Sequence, residues 1–84
     1  MDKKYKHSEK YIRLGLNIGY YRRLKGLTQI ELAEKANISR THMSNIEAPN
    51  MVVSVSLEKL FNIADVLEVP VAKLFDFKDW TKSL

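Results

Sequence analysis

Cysteine is absent from this 84-residue chain, which excludes disulfides and any zinc site built on thiolates. The two histidines, His7 and His42, lie too far apart and too unaccompanied to suggest metal ligation. Also missing are a glycine-rich phosphate loop, an acidic cluster for magnesium or calcium, and a nucleophile, base and orienting group at a meaningful spacing. His42, the one candidate base, stands mid-helix beside Arg40 and Thr41 with no carboxylate signalled nearby, so the expected protein is not an enzyme and needs no cofactor. No apolar run approaches the roughly 20 residues of a membrane helix, and the basic opening MDKKYKHSEKY leads into no apolar segment of signal-peptide length. A cytoplasmic protein is the default expectation. Glycine and proline are scarce, at three and two residues, and 45% of the chain is hydrophobic, which fits a packed helical domain and not a disordered one.

What the chain does have is charge, unevenly placed. Residues 1–42 carry ten Lys/Arg against four Asp/Glu, and residues 43–84 carry four against six, so +6 at the front meets −2 behind. Such polarity suits an anionic partner on one side and a protein contact on the other. A chain this short buries only about 60 to 65% of the surface its unfolded form exposes, so a second subunit is expected to help hold it together.

Periodicity predicts an all-α fold of five helices. A basic tail over residues 1–10 leads into a domain over residues 11–76 and a C-terminal extension over 77–84. The first helix begins near Ser8, whose hydroxyl is placed to cap it ahead of Glu9. Ile12 or Leu14, Ile18, Tyr21 and Leu24 or Lys25 recur at helical spacing until Gly26, which is suited to a left-handed helix end. Gly15 and Gly19, one turn apart, read as places of close helix contact. Thr28 with Glu31 forms a capping-box pair for a helix from Gln29 to about Ala36. Asn37 tolerates the positive φ of a tight turn, and Ser39 caps a third helix from Arg40 to about Glu47. Leu32, Ala36, Ile38, Met43 and Ile46 give these two helices one shared apolar stripe, with the outward face of the second left free.

After Pro49 and Asn50 comes a β-branched run from Met51 to Val55. It lacks a pairing partner within the chain, so an extended connection or contact surface is expected unless a second subunit supplies a strand. Ser54 or Ser56 caps a fourth helix along Leu57, Leu60, Ile63 or Ala64 and Leu67, and Pro70 opens a short fifth over Val71 to Phe75. Phe77, Trp80 and Leu84 make the tail unusually aromatic, either to complete the core or to form a dimer interface.

A helix standing in the major groove reaches base edges from its first turn and a half, and here those positions hold Ser39, Arg40, Thr41, Ser44 and Asn45. Arg40 suits guanine O6 and N7, Asn45 the adenine N6 and N7 edge, and Thr41 the thymine methyl. Gln29 and Ser39, at two helix starts, are expected on phosphates, with Arg23 and His42 adding to them. Lys25 and Lys35 read equally as solvated surface, and an ordinary wet helix face is the competing account of Arg40 and Asn45. Arg22 and Glu47 each adjoin an apolar stripe, and a bidentate ion pair between them would tie the end of helix three to helix one.

The stretch LGLNIGYYRRLKGLTQIELAEKANISRTHMSNIEAPN, followed by SLEKLFNIADVLEVPVAKLF, resembles the Xre/Cro-like family of helix-turn-helix domains. The motifs that carry the resemblance are Gly26-Leu27-Thr28-Gln29, Glu31-Leu32-Ala33, Ile38-Ser39 and Ser44-Asn45-Ile46-Glu47, and then Leu60, Ile63-Ala64, Leu67, Val69 and Leu74-Phe75. It implies a compact five-helix repressor-like domain on double-stranded operator DNA, as a two-fold homodimer on a palindromic or nearly palindromic site. It also implies that Gln29 touches phosphate and buttresses the reading helix, that Arg40, Thr41 and Asn45 contact bases, and that Ser39 and Ser44 flank them. Arg22 and Glu47 match a structural ion pair of the phage repressors. Asn37 replaces a common glycine, and Ala48-Pro49-Asn50 with Met51-Val52-Val53 replaces a loop that in many relatives carries glycine and basic residues. The expected function is a sequence-specific, dimeric repressor-type regulator of transcription. The alternatives are an antitoxin or restriction-modification controller acting on its own operon, or a protein-interaction module using Met51 to Val55 or Phe77 to Trp80.

Overall fold

The computed structural model describes residues 5–77; residues 1–4 of the expected tail, and Trp80 and Leu84 of the extension, lie outside the described residues. Five helices follow in order: α1 (Ser8–Lys25), α2 (Gln29–Lys35), α3 (Arg40–Glu47), α4 (Leu57–Leu67) and α5 (Val71–Leu74), with no strand among the described residues. None of the described helices is long and apolar enough to cross a membrane.

The helix boundaries follow local chemistry. Thr28 accepts from the Glu31 backbone N–H at 3.0 Å while the Glu31 carboxylate accepts from the Thr28 N–H at 2.8 Å, so α2 opens on a complete capping box. Ser39 caps α3 by accepting from the His42 N–H, and Ser56 caps α4 by accepting from the Lys59 N–H. Gly26 closes α1 at φ 80°, and Asn37 turns α2 into α3 at φ 60°. Ser8 is a correction to the expected cap. His7 holds the N-cap position without a side-chain bond, and the buried Ser8 hydroxyl instead donates backwards to the Tyr5 carbonyl at 2.7 Å. The helix nevertheless starts at Ser8, where the sequence placed its beginning, so residues 8–10 of the expected tail belong to α1.

Inside, Leu14 and Ile18 of α1 meet Leu32, Ala33 and Ala36 of α2, Ile38 of the turn, and Met43 and Ile46 of α3; Leu60, Ile63, Ala64 and Leu67 of α4 and Leu74 of α5 close the core. Leu57, and Leu24 as one of two alternatives for the last inward position of α1, point out instead: each is 66% exposed. Both sit at a helix end, where the stripe runs past the neighbouring elements that would cover it.

Gly15 sets the closest approach. A Cβ there would lie 1.8 Å from the Ile46 carbonyl oxygen, so α1 and α3 touch backbone to backbone and only glycine fits. This contact fixes how far α3 stands from the core.

Candidate nucleic-acid interface

The outward surface of α3 is polar by the same periodicity that buries its other side. Met43, Ile46 and Glu47 are buried, whereas Arg40, Thr41 and Ser44 are exposed and Asn45 is half-buried at their edge. At 100° per residue these four side chains span an arc of about 140° on one face. Thr41, Ser44 and Asn45 have no hydrogen-bond partner for their side chains among the described residues, so their donors and acceptors face solvent unspent. Arg40 differs: its Nη2 reaches the Glu34 carboxylate on α2 at 3.2 Å, with both side chains more than 60% exposed. An exposed pair of this kind holds by less than about 1 kcal/mol and yields readily to a better anion. Sequence spacing missed this partner because the two residues sit on different helices across the turn.

Among the remaining predicted positions, Ser39 is exposed and its hydroxyl oxygen is engaged in capping α3, while His42 is half-buried on the same helix. Arg23 is exposed on α1, and its guanidinium folds back towards Gly19, 3.3 Å from where a Cβ would stand. Arg23 thus belongs to the α1 surface beside the anchor of α3 and not to the outward arc.

That anchor is the Glu47 carboxylate, only 4% exposed at its side chain. Arg22 Nε on α1 donates to both of its oxygens, at 3.1 and 2.9 Å, and Gln29 Nε2 at the start of α2 donates to Oε1 at 3.0 Å. Arg22 Nη1 meanwhile donates to the Leu27 carbonyl at 2.7 Å. The pair is therefore not the fork-on-fork arrangement expected of a bidentate arginine: one nitrogen serves the carboxylate and another fixes the loop before α2. One buried carboxylate joins three helices, and every polar atom in it has a partner, as a buried charge requires. Sequence reasoning had the residues but not the Leu27 carbonyl, since a backbone acceptor leaves no trace in residue type.

The back of the domain is tied by neutral bonds. Asn17 Nδ2 donates to the Leu74 and Asp76 carbonyls at 3.0 and 3.2 Å, holding the end of α5 against α1, and Asn62 Nδ2 donates to the Ala36 carbonyl at the end of α2. Two short helices joined by a tight turn, the second rigidly anchored with a polar face outward, define a helix-turn-helix domain.

Comparison with known proteins narrows this further. The helix-turn-helix family profile matches residues 18–74, and the chain belongs to the Xre/Cro-like helix-turn-helix family. It is 38% identical over 69 residues to the HTH-type transcriptional regulator SinR of Bacillus licheniformis, covering 82% of this chain and 61% of that protein. The chain thus spans about three fifths of the length of that relative. A crystal structure of SinR, described as the master regulator for biofilm formation, in complex with DNA superposes with a TM-score of 0.69 at 38% identity, covering 75% of this chain and 98% of that one. The restriction-modification controller protein C.AhdI from Aeromonas hydrophila superposes with a TM-score of 0.73 at 25% identity, covering 80% of this chain and 98% of that one.

Proposed function

We propose that this protein is a sequence-specific DNA-binding regulator of transcription that works as a homodimer on a two-fold site. The observation that carries the reading is the α3 surface: a contiguous polar arc, without partners among the described residues at Thr41, Ser44 and Asn45, on a helix immobilised from behind through Glu47. In this reading α3 lies in the major groove with Arg40, Thr41, Ser44 and Asn45 against base edges. Gln29 and Ser39 contact phosphate from the starts of α2 and α3, with His42 and Arg23 adding charge or hydrogen bonds to the flanking backbone. Arg40 must leave Glu34 to do so, at small cost. The likeness to SinR, whose structure includes DNA, supports the same class of partner.

Regulation as a restriction-modification controller acting on its own operon is the second reading. It is favoured by the match to nearly the whole of C.AhdI. Both readings use the same base contacts, and neither involves catalysis.

The test is selection of bound DNA from a random pool, followed by a salt series on the selected site. Affinity is expected to fall by decades between about 50 and 200 mM salt. Arg40→Ala or Asn45→Ala is expected to relax preference at one base position each, by about 1 to 3 kcal/mol. A pool that yields no enriched sequence at any salt overturns the reading.

A further inference from the structure

From the end of α3 into the first residue of α4 the chain runs through ten consecutive uncharged residues, 48–57, in a protein whose net charge is +4. No residue in this stretch has positive φ, and residues 48–56 form neither helix nor strand. Within it the side chains alternate as they would in a strand: Val53 and Val55 pack inward on the core, while Ser54 and Ser56 point out. Yet the N–H groups of Val52, Val53, Ser54 and Val55 find no backbone acceptor among the described residues. Met51 and Leu57 within it and Phe61 beside it are 42%, 66% and 48% exposed. The segment therefore has strand composition, strand alternation and an open row of backbone donors and acceptors, but nothing to pair with among the described residues.

We infer that residues 52–55 pair with the same residues of a second copy as an antiparallel two-stranded ribbon across the molecular two-fold. Three features on the chain select a second copy as the occupant. A two-fold interface brings the same patch of each subunit together, so the patch must match itself. An antiparallel strand satisfies this when Ser54 faces Ser54 of the partner subunit, because Val53 then faces the partner's Val55 and the inward side chains of both copies share one face. Finally, the stretch is uncharged, so two copies of a basic chain meet there without like charges opposed, and the exposed Leu57 and Phe61 extend the contact with apolar area. The inference rests on the dimeric part of the proposed function and is independent of which bases α3 reads.

The test uses the whole chain without DNA. Ser54→Pro removes one central N–H that has no backbone acceptor among the described residues and lies outside every helix, so the monomer is expected to keep its fold, checked by circular dichroism. Sedimentation equilibrium is expected to show a dimer for the parent and a dissociation constant raised by about tenfold or more for Ser54→Pro. Ser54→Cys places a lone thiol in a chain without cysteine, and two of them should meet at the two-fold. It is expected to oxidise to a disulfide-linked dimer at least tenfold faster than a Lys35→Cys control on exposed α2, by roughly the effective concentration a preformed dimer supplies. Equal oxidation of the two cysteine variants, or unchanged dimerisation of Ser54→Pro, overturns the ribbon even if the parent dimerises and reads DNA. A parent chain that stays monomeric to about 1 mM overturns the ribbon and the homodimer together. Loss of sequence-specific DNA binding alone would leave these readouts intact and strike only the base-reading proposal.

Discussion

The molecule builds the same turn twice and uses it for opposite ends. In the run Ala33 to Ile38, α2 ends on Asn37 at φ 60°, with Ile38 N–H bonded to the Ala33 carbonyl at 2.8 Å. In the run Ala64 to Val69, α4 ends on Glu68 at φ 59°, with Val69 N–H bonded to the Ala64 carbonyl at 3.2 Å. Both are left-handed helix ends followed by a buried or half-buried apolar residue. The difference lies in the next residue. Ser39 caps an eight-residue helix that shows a polar face to solvent, whereas Pro70 opens a four-residue helix whose Leu74 plugs the core. Even the tethers to α1 differ in kind. The end of α3 is held by a buried carboxylate against Arg22 and Gln29, and the end of α5 by the Asn17 amide on two carbonyls. A carboxylate is demanding about the position of its partners, and a helix that must present side chains to an external template gains from that demand. A core plug needs only to stay in place.

Cutting the two tethers separately should expose this contrast most strongly. Arg22→Met leaves Glu47 buried with only Gln29 as a donor, and we expect a loss of about 3 to 5 kcal/mol in unfolding free energy. Asn17→Ala should cost less, about 1 to 3 kcal/mol, because it strands neutral carbonyls instead of a charge. Chemical denaturation of both variants measures the difference. The double variant Arg22→Met with Glu47→Met should recover much of the lost stability while still binding DNA poorly, since an apolar pair fills the space without fixing the tilt of α3. Equal losses at Arg22 and Asn17 would remove the distinction between the tethers.

A smaller effect should separate the two turns. Asn enters the left-handed region at less cost than Glu, so Glu68→Gly is expected to raise Tm by roughly 4 °C. Asn37→Gly should change it by less than half as much. The exposed ion pair of Glu68 with Lys25, whose hydrogen bond and charge lower the Glu68 carboxyl from its ordinary value, is lost in the first variant and partly offsets the gain.

Much of this was legible in residue order because the signals are local. Thr28 with Glu31, Ser39, Asn37 and Gly26 each act within four residues of themselves, and the helices they bound appear where those residues stand. The close approach at Gly15 was readable as a spacing of small residues, although not its partner at Ile46. What could not be read were contacts set by how helices cross: the Leu27 carbonyl under Arg22, Glu34 beside Arg40, and Asn17 under the end of α5. Ser8 misled because a serine ahead of Glu9 looks like a cap, whereas here it bonds backwards to Tyr5 from inside the helix. The roles of Arg40, Thr41, Ser44 and Asn45 towards bases remain proposals for the selection experiment.

The least costly way to sharpen the comparison lies at the starts of the paired helices. Both α2 and α4 open on a hydroxyl cap, but the third position of the first helix is Glu31 and that of the second is Lys59, so only α2 has the return bond of a capping box. The Thr28 backbone hydrogen bond, and then the Thr28 side-chain bond, hold the Glu31 carboxyl below its ordinary value. A carboxyl whose pKa is depressed by folding contributes stability that is complete above its unfolded value and is lost as pH falls through the lower folded one. Glu31→Gln keeps an acceptor for the Thr28 N–H but cannot titrate. Its Tm deficit relative to the parent should therefore be largest at neutral pH and shrink as acid protonates Glu31 in the parent. Because the side chain is exposed, the deficit should be the smallest of those predicted. Thermal melts of both proteins across the acid range would check it, and a deficit that grows as pH falls would show that the box stabilises α2 by something other than its charge.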